Sequence, residues 1–151
     1  MGIVRQRPHL SQNARFQDET AVAADRGHPK GYSYIARLSE GLLSRGWQVG
    51  DPENWRDCGW SCLCAKGSGR LLLIISSRSG PEWVLQISPE YVPGFVARLL
   101  GGTASASDDD MFALATDVDA ILRGAGTCSG LMWRWDGRPE EGTAQARPPR
   151  R

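Results

Sequence analysis

Residues 59–88 read GWSCLCAKGSGRLLLIISSRSGPEWVLQIS, and their pattern sets the fold class. Trp60, Cys62 and Cys64 alternate with Ser61, Leu63 and Ala65, the period of two expected of a strand with one buried side. The KGSG segment that follows has turn chemistry. Residues 71–75 are an unbroken apolar run, as in a strand deep within a sheet. After SSRSGP, residues 82–88 place Trp83, Leu85 and Ile87 on one side and Val84, Gln86 and Ser88 on the other. Two short connections between three strands predict an antiparallel meander.

On the N-terminal side, Ile35, Leu38, Leu42 and Leu43 recur at the spacing of one helix face, with Ser33 placed to cap it and Gly46 to end it. The polar stretch GDPENWRD reads as a loop. On the C-terminal side, Phe95, Val96, Leu99 and Leu100 suggest a short helix after Pro93, closed by Gly101 and Gly102. A longer helix follows. Ser107 and Asp110 have capping-box spacing, and Asp108 and Asp109 complement the helix dipole. Met111, Leu114, Ala115, Val118, Ile121 and Leu122 form its apolar face, and Gly124 is its expected C-cap. Residues 131–135 are a final strand. The expectation is an α+β domain over residues 30–136: an antiparallel sheet of about four strands with helices on one face, in the order α-β-β-β-(short α)-α-β. Residues 1–29, with little periodicity, are expected to be a disordered or partner-dependent tail, and residues 137–151 a disordered basic tail.

The chain of 151 residues has room for one such core, and 40% hydrophobic with 23% charged residues is ordinary for a globular domain. No apolar run approaches the ~18–20 residues of a membrane-spanning helix. The first 17 residues hold no signal-peptide apolar stretch, so a cytoplasmic location and no membrane partner are expected. Net charge is +1, but residues 31–136 carry 9 basic and 12 acidic side chains while each flank carries +2. A slightly acidic domain with basic ends lacks the cationic face of a duplex reader.

The chemistry-bearing residues are few. Cys58, Cys62, Cys64 and Cys128 could supply four thiolates, but their spacing lacks the paired knuckles of structural zinc sites. Cys62 and Cys64 are expected to be small buried hydrophobes. The histidines, His9 and His28, both lie in the expected tail, which leaves the thiols without a neighbouring base. Asp108, Asp109 and Asp110 diverge around a helix turn, and Asp117 and Asp119 are expected on its solvated face. Neither KGSGR nor LLGGT has nucleotide-loop spacing. No metal and no cofactor are expected.

The six tryptophans are the compositional excess: Trp47, Trp55, Trp60, Trp83, Trp133 and Trp135. Such rings dominate cores and interface hot spots alike. Trp55, among Glu53, Asn54, Arg56 and Asp57, is the best candidate for exposure. Trp55 with Arg56, and the run Trp133, Arg134, Trp135 and Asp136, are the candidate protein-binding residues, able to stack and to form cation–π contacts.

The segments ENWRDCGWSCLC, EWVLQISPEYVPGF and WRWDGRPEE resemble a group of small proteobacterial proteins, over residues 47–140. That resemblance implies a helix–sheet layout and carries over no catalytic residue. In element order alone, the chain also resembles toxin-neutralising immunity proteins and secretion chaperones. The expected function is a non-enzymatic protein-binding module of immunity or chaperone type, its partner another protein such as a cognate toxin. Two alternatives stand beside it: a metal- or thiol-dependent enzyme using the four cysteines, and a nucleic-acid-associated regulator using the basic tails with exposed aromatics.

Overall fold

A computed structural model describes residues 12–18, 31–56, 58–67, 69–77, 81–89 and 107–135. Among them are seven strands and two helices. In chain order these are β1 (Gln12–Gln17), α1 (Tyr32–Ser44), β2 (Gln48–Val49), β3 (Glu53–Trp55), β4 (Gly59–Lys66), β5 (Gly69–Ser77), β6 (Glu82–Pro89), α2 (Asp108–Gly124) and β7 (Ser129–Trp135). All strands join one antiparallel sheet in the order β2-β4-β5-β6-β1-β7, with β3 also paired to β4.

The meander β4-β5-β6 matches the reading of residues 59–88: Cys62 pairs with Leu73, and Leu73 with Ile87. The expected layout of about four strands with helices on one face is overturned, because the structure is mostly sheet, with seven strands among the described residues. Three strands account for the difference. The GDPENWRD loop contributes β3, and its approach contributes β2; both are too short to show a period. The third, β1, lies inside the stretch expected to be a tail. It sits between β6 and β7, with Ala14 opposite both Leu85 and Trp133. The expected short helix after Pro93 lies outside the described residues, as do His9, His28, Asp136 and the segment 137–151.

One core unites the sheet and the helices. Ala14, Phe16, Cys62, Cys64, Leu71, Leu73, Ile75, Trp83, Leu85, Ile87 and Trp133 meet Ile35, Leu38 and Leu42 of α1 and Leu114, Ala115, Val118 and Leu122 of α2. The apolar spacing of both helices therefore faces the core as predicted, except at Leu43, which one step of 100° carries past the buried stripe into an exposed position. Their ends differ in part. The N-cap of α1 is Gly31, not Ser33, and makes no side-chain cap. Gly31 has φ +108, and a Cβ there would meet the Trp83 ring at 3.2 Å, so conformation and space both call for glycine. Gly46 ends α1 as expected, at φ +91, and the Trp47 N–H reaches back to the Leu42 carbonyl. The capping box of α2 is complete, with the Ser107 N–H on Asp110 Oδ2 and the Asp110 N–H on Ser107 Oγ. That helix runs through Gly124, and the positive φ falls two residues later, at Gly126.

Burial of β1 gives a direct test. Phe16 is buried and packs edge-on against Tyr34, ring centroids 5.4 Å apart. Phe16→Ala is expected to cost about 3–5 kcal/mol, the usual range for a deleted core aromatic, read as a lower urea midpoint. An N-terminal segment independent of the fold would leave the midpoint unchanged.

Candidate protein-interaction face

The side chains that alternate with the core set emerge on the opposite side of the sheet, and strand register arranges them in rows. One row is Leu63, Leu72 and Ser88. The next is Ser61, Ile74, Gln86, Asn13 and Arg134. A third runs Trp55, Gly59, Ser76, Val84, Arg15 and Met132. Ile74 and Ser61 are buried although they lie outside the core cluster. Leu63 is 45% exposed and Met132 38% exposed. Leu72, Val84, Gln86, Arg15 and Arg134 are half-buried. The face is thus apolar through Leu63, Leu72, Ile74, Val84 and Met132, with guanidinium groups toward the β7 end. Arg15 lies 3.9 Å from Glu82, an exposed pair of small energetic weight.

The sequence-predicted residues fall around this face unevenly. Trp55 is half-buried at its β3 margin, with the Arg56 guanidinium 4.9 Å from its ring centroid. Arg56 has φ +49, left-handed for a side-chain-bearing residue, in a tight turn closed by the Cys58 N–H on the Trp55 carbonyl. Exposed cation–π contacts of this kind contribute about 0.5–1 kcal/mol. Arg134 stands at the far margin, five strand spacings away, roughly 24 Å at ~4.8 Å per strand. The two groups therefore bracket the face without touching. Trp133 points the other way, is fully buried, and belongs to the core, not to a binding patch. The side chain of Trp135 and all of Asp136 lie outside the described residues. Sequence reading missed Leu63, Leu72, Met132 and Arg15. The available signal was their alternation with buried neighbours, which was legible in β4 and β6 but hidden in β5, where both sides are apolar.

The tryptophans and the acidic residues of α2 prove to be linked. Trp47 Nε1 donates to Asp117 Oδ2 at 2.8 Å, and Trp133 Nε1 donates to Asp119 Oδ1 at 2.9 Å. Arg45 and Arg123 also reach these carboxylates. The expectation that Asp117 and Asp119 are merely solvated is corrected: each accepts an indole proton that burial would otherwise leave unpaired. Trp60 packs edge-on with Tyr32, and Trp83 lies against Tyr34.

The four thiols occupy three separate places. Cys58 is exposed beside the Trp55 carbonyl. Cys62 and Cys64 are buried with their sulfurs 3.9 Å apart, and Cys64 is held protonated by its hydrogen bond with Cys62 and by burial. Cys128 lies 3.6 Å from the Tyr34 hydroxyl, which donates to the buried carboxylate of Asp18. Burial, then the Asp18 charge, push the Cys128 thiol up to about 11, opposite to the activation a nucleophilic thiol requires. Among the described residues, no three His, Cys, Asp or Glu side chains converge as metal ligands do. None of the described helices is long and apolar enough to cross a membrane. No protein-family model matches the chain, and no curated protein matches it.

Two measurements follow from this geometry. Asp117→Ala and Asp119→Ala are each expected to lower stability by about 1–3 kcal/mol, with a shift in tryptophan emission on Trp47 or Trp133 respectively. Folding favours the protonated thiol of Cys128. Its contribution is whole below 9.0, the ordinary thiol value, and is lost as pH rises through about 11. Cys128→Ser should therefore flatten the fall in stability across that window, read by denaturant unfolding at each pH.

Proposed function

We propose that this chain is a non-enzymatic protein-binding module that docks on a folded partner through the outer side of its sheet. One observation carries the reading: Leu63 and Met132 stand exposed on a sheet face where Leu72 and Val84 are also half-open. A sheet backed by a packed core holds such side chains rigidly, so little ordering entropy is lost on docking. Exposed apolar groups of this kind, rimmed by polar residues, are what partner surfaces use. Trp55 with Arg56 at one margin and Arg134 at the other supply aromatic and cationic contacts, which interface hot spots favour. A partner offering an apolar ridge flanked by carboxylates has the matching chemistry. In its most concrete form the partner is a toxin that this chain neutralises.

The test begins with tagged chain and extract of the native host. One protein should be recovered stoichiometrically by the unaltered chain. Leu63→Glu and Val84→Glu should each weaken that recovery at least about tenfold, since either buries an unpaired charge in the interface. Leu43→Glu, at an exposed position of α1, should not. For the neutralising form, the recovered protein should arrest growth when expressed alone, and co-expression of the unaltered chain should relieve the arrest. Recovery indifferent to both face variants would overturn the reading.

A further inference from the structure

The two margins of this sheet are built differently. Beyond β4 lie β2, two residues long, and β3, three residues long, separated by Gly50, Asp51 and Pro52. Short pieces, a proline and acidic residues are the means by which proteins keep a sheet edge from pairing with another chain. The opposite margin is β7, seven residues long, which among the described residues pairs with β1 alone. It contains no proline, no lysine and no acidic residue, and it carries the exposed Met132 at its midpoint. Its single irregularity is near its start, where the register with β1 shifts and Gly130 has φ +65. An edge that no other described strand pairs is a template for strand addition.

We propose that β7 pairs antiparallel with β7 of a second copy of this chain, about a two-fold axis at Met132. The sequence SGLMWRW is suited to that register. Antiparallel partners must share a side of the sheet, so the axis has to pass through a residue and not between two. Centring it on Met132 pairs the regular part of the strand, beyond the register shift near Gly130, with its own copy and sets the exposed Met132 opposite itself. The strand's only charged residue, Arg134, then lies opposite Gly130, which has no side chain to obstruct it. Leu131 falls opposite Trp133 on the core side. Centring on Arg134 would instead bring two guanidinium groups together. The outcome is one sheet running through both copies, with the two outer faces continuous across Met132. Stable interfaces bury roughly 1,200–2,000 Å². A single strand pair is small against that range, so the dimer forms in a concentration-dependent way.

The test uses the full chain alone, without a partner, so its outcome is independent of the binding reading. Sedimentation over a dilution series should show a reversible monomer–dimer equilibrium. Met132→Arg, a change at an exposed position, should weaken it at least about tenfold by placing like charges at the axis while circular dichroism is unchanged. In a Cys58→Ser background, Met132→Cys should form an intermolecular disulfide under mild disulfide exchange, each new bond releasing two thiols from the oxidised reagent. Leu63→Cys in the same background should not cross-link. A chain that stays monomeric at every concentration would overturn the proposal, as would a dimer that Met132→Arg leaves intact.

Discussion

The fold depends on the pairing of β1 along both of its edges. This six-residue strand hydrogen-bonds β6 on one side and β7 on the other, and no other described strand joins those two. It buries Ala14 and Phe16 and then hands the chain to Asp18, whose N–H bonds the Pro81 carbonyl and whose carboxylate receives the Tyr34 hydroxyl. Without it the meander and the C-terminal strand would be separate pieces. These contacts are distant in sequence, joining residues 12–17 to residues 82–87 and 129–135. Closing such loops costs entropy that only the completed sheet offsets, so β1 and the sheet are expected to form together.

Helix α2 is held by complementary chemistry on either side of its apolar stripe. Val118 and Leu122 are buried, and the flanking carboxylates of Asp117 and Asp119 take indole protons from Trp47, just beyond α1, and Trp133, on β7. The two hydrogen bonds fix the rotation of the helix in a way apolar packing alone does not. They also satisfy the indole N–H groups of Trp47 and Trp133, whereas that of the buried Trp83 has no hydrogen-bond partner among the described residues. The thiols take no part in this: two are packed as apolar groups, and Cys128 is kept protonated beside a carboxylate.

With one side of the sheet committed to the core, every alternate side chain is delivered to the other. That side inherits its composition from the strand pattern: apolar where β4, β5 and β6 cross, cationic where β1 and β7 add Arg15 and Arg134. The proposed partner surface and the proposed self-pairing edge are therefore consequences of one architecture, a sheet whose one side packs on both described helices and whose last strand, among the described residues, pairs along one edge.

Local pattern alone determined the meander, both described helices, the capping box at Ser107 and the stop at Gly46, because each is set by neighbours within a few residues. It also singled out Trp55, Arg56 and Arg134, but could not say that they lie at opposite margins, or that Trp133 faces inward. Strand β1 escaped notice because QNARFQ offers just two apolar side chains, and its partners lie about 70 and 115 residues further along the chain. Only the tertiary structure decided which side of each strand is buried, which edges pair, and that two carboxylates expected in water serve two indoles. Those outcomes depend on which distant segments meet, and side-chain period by itself carries no information about that.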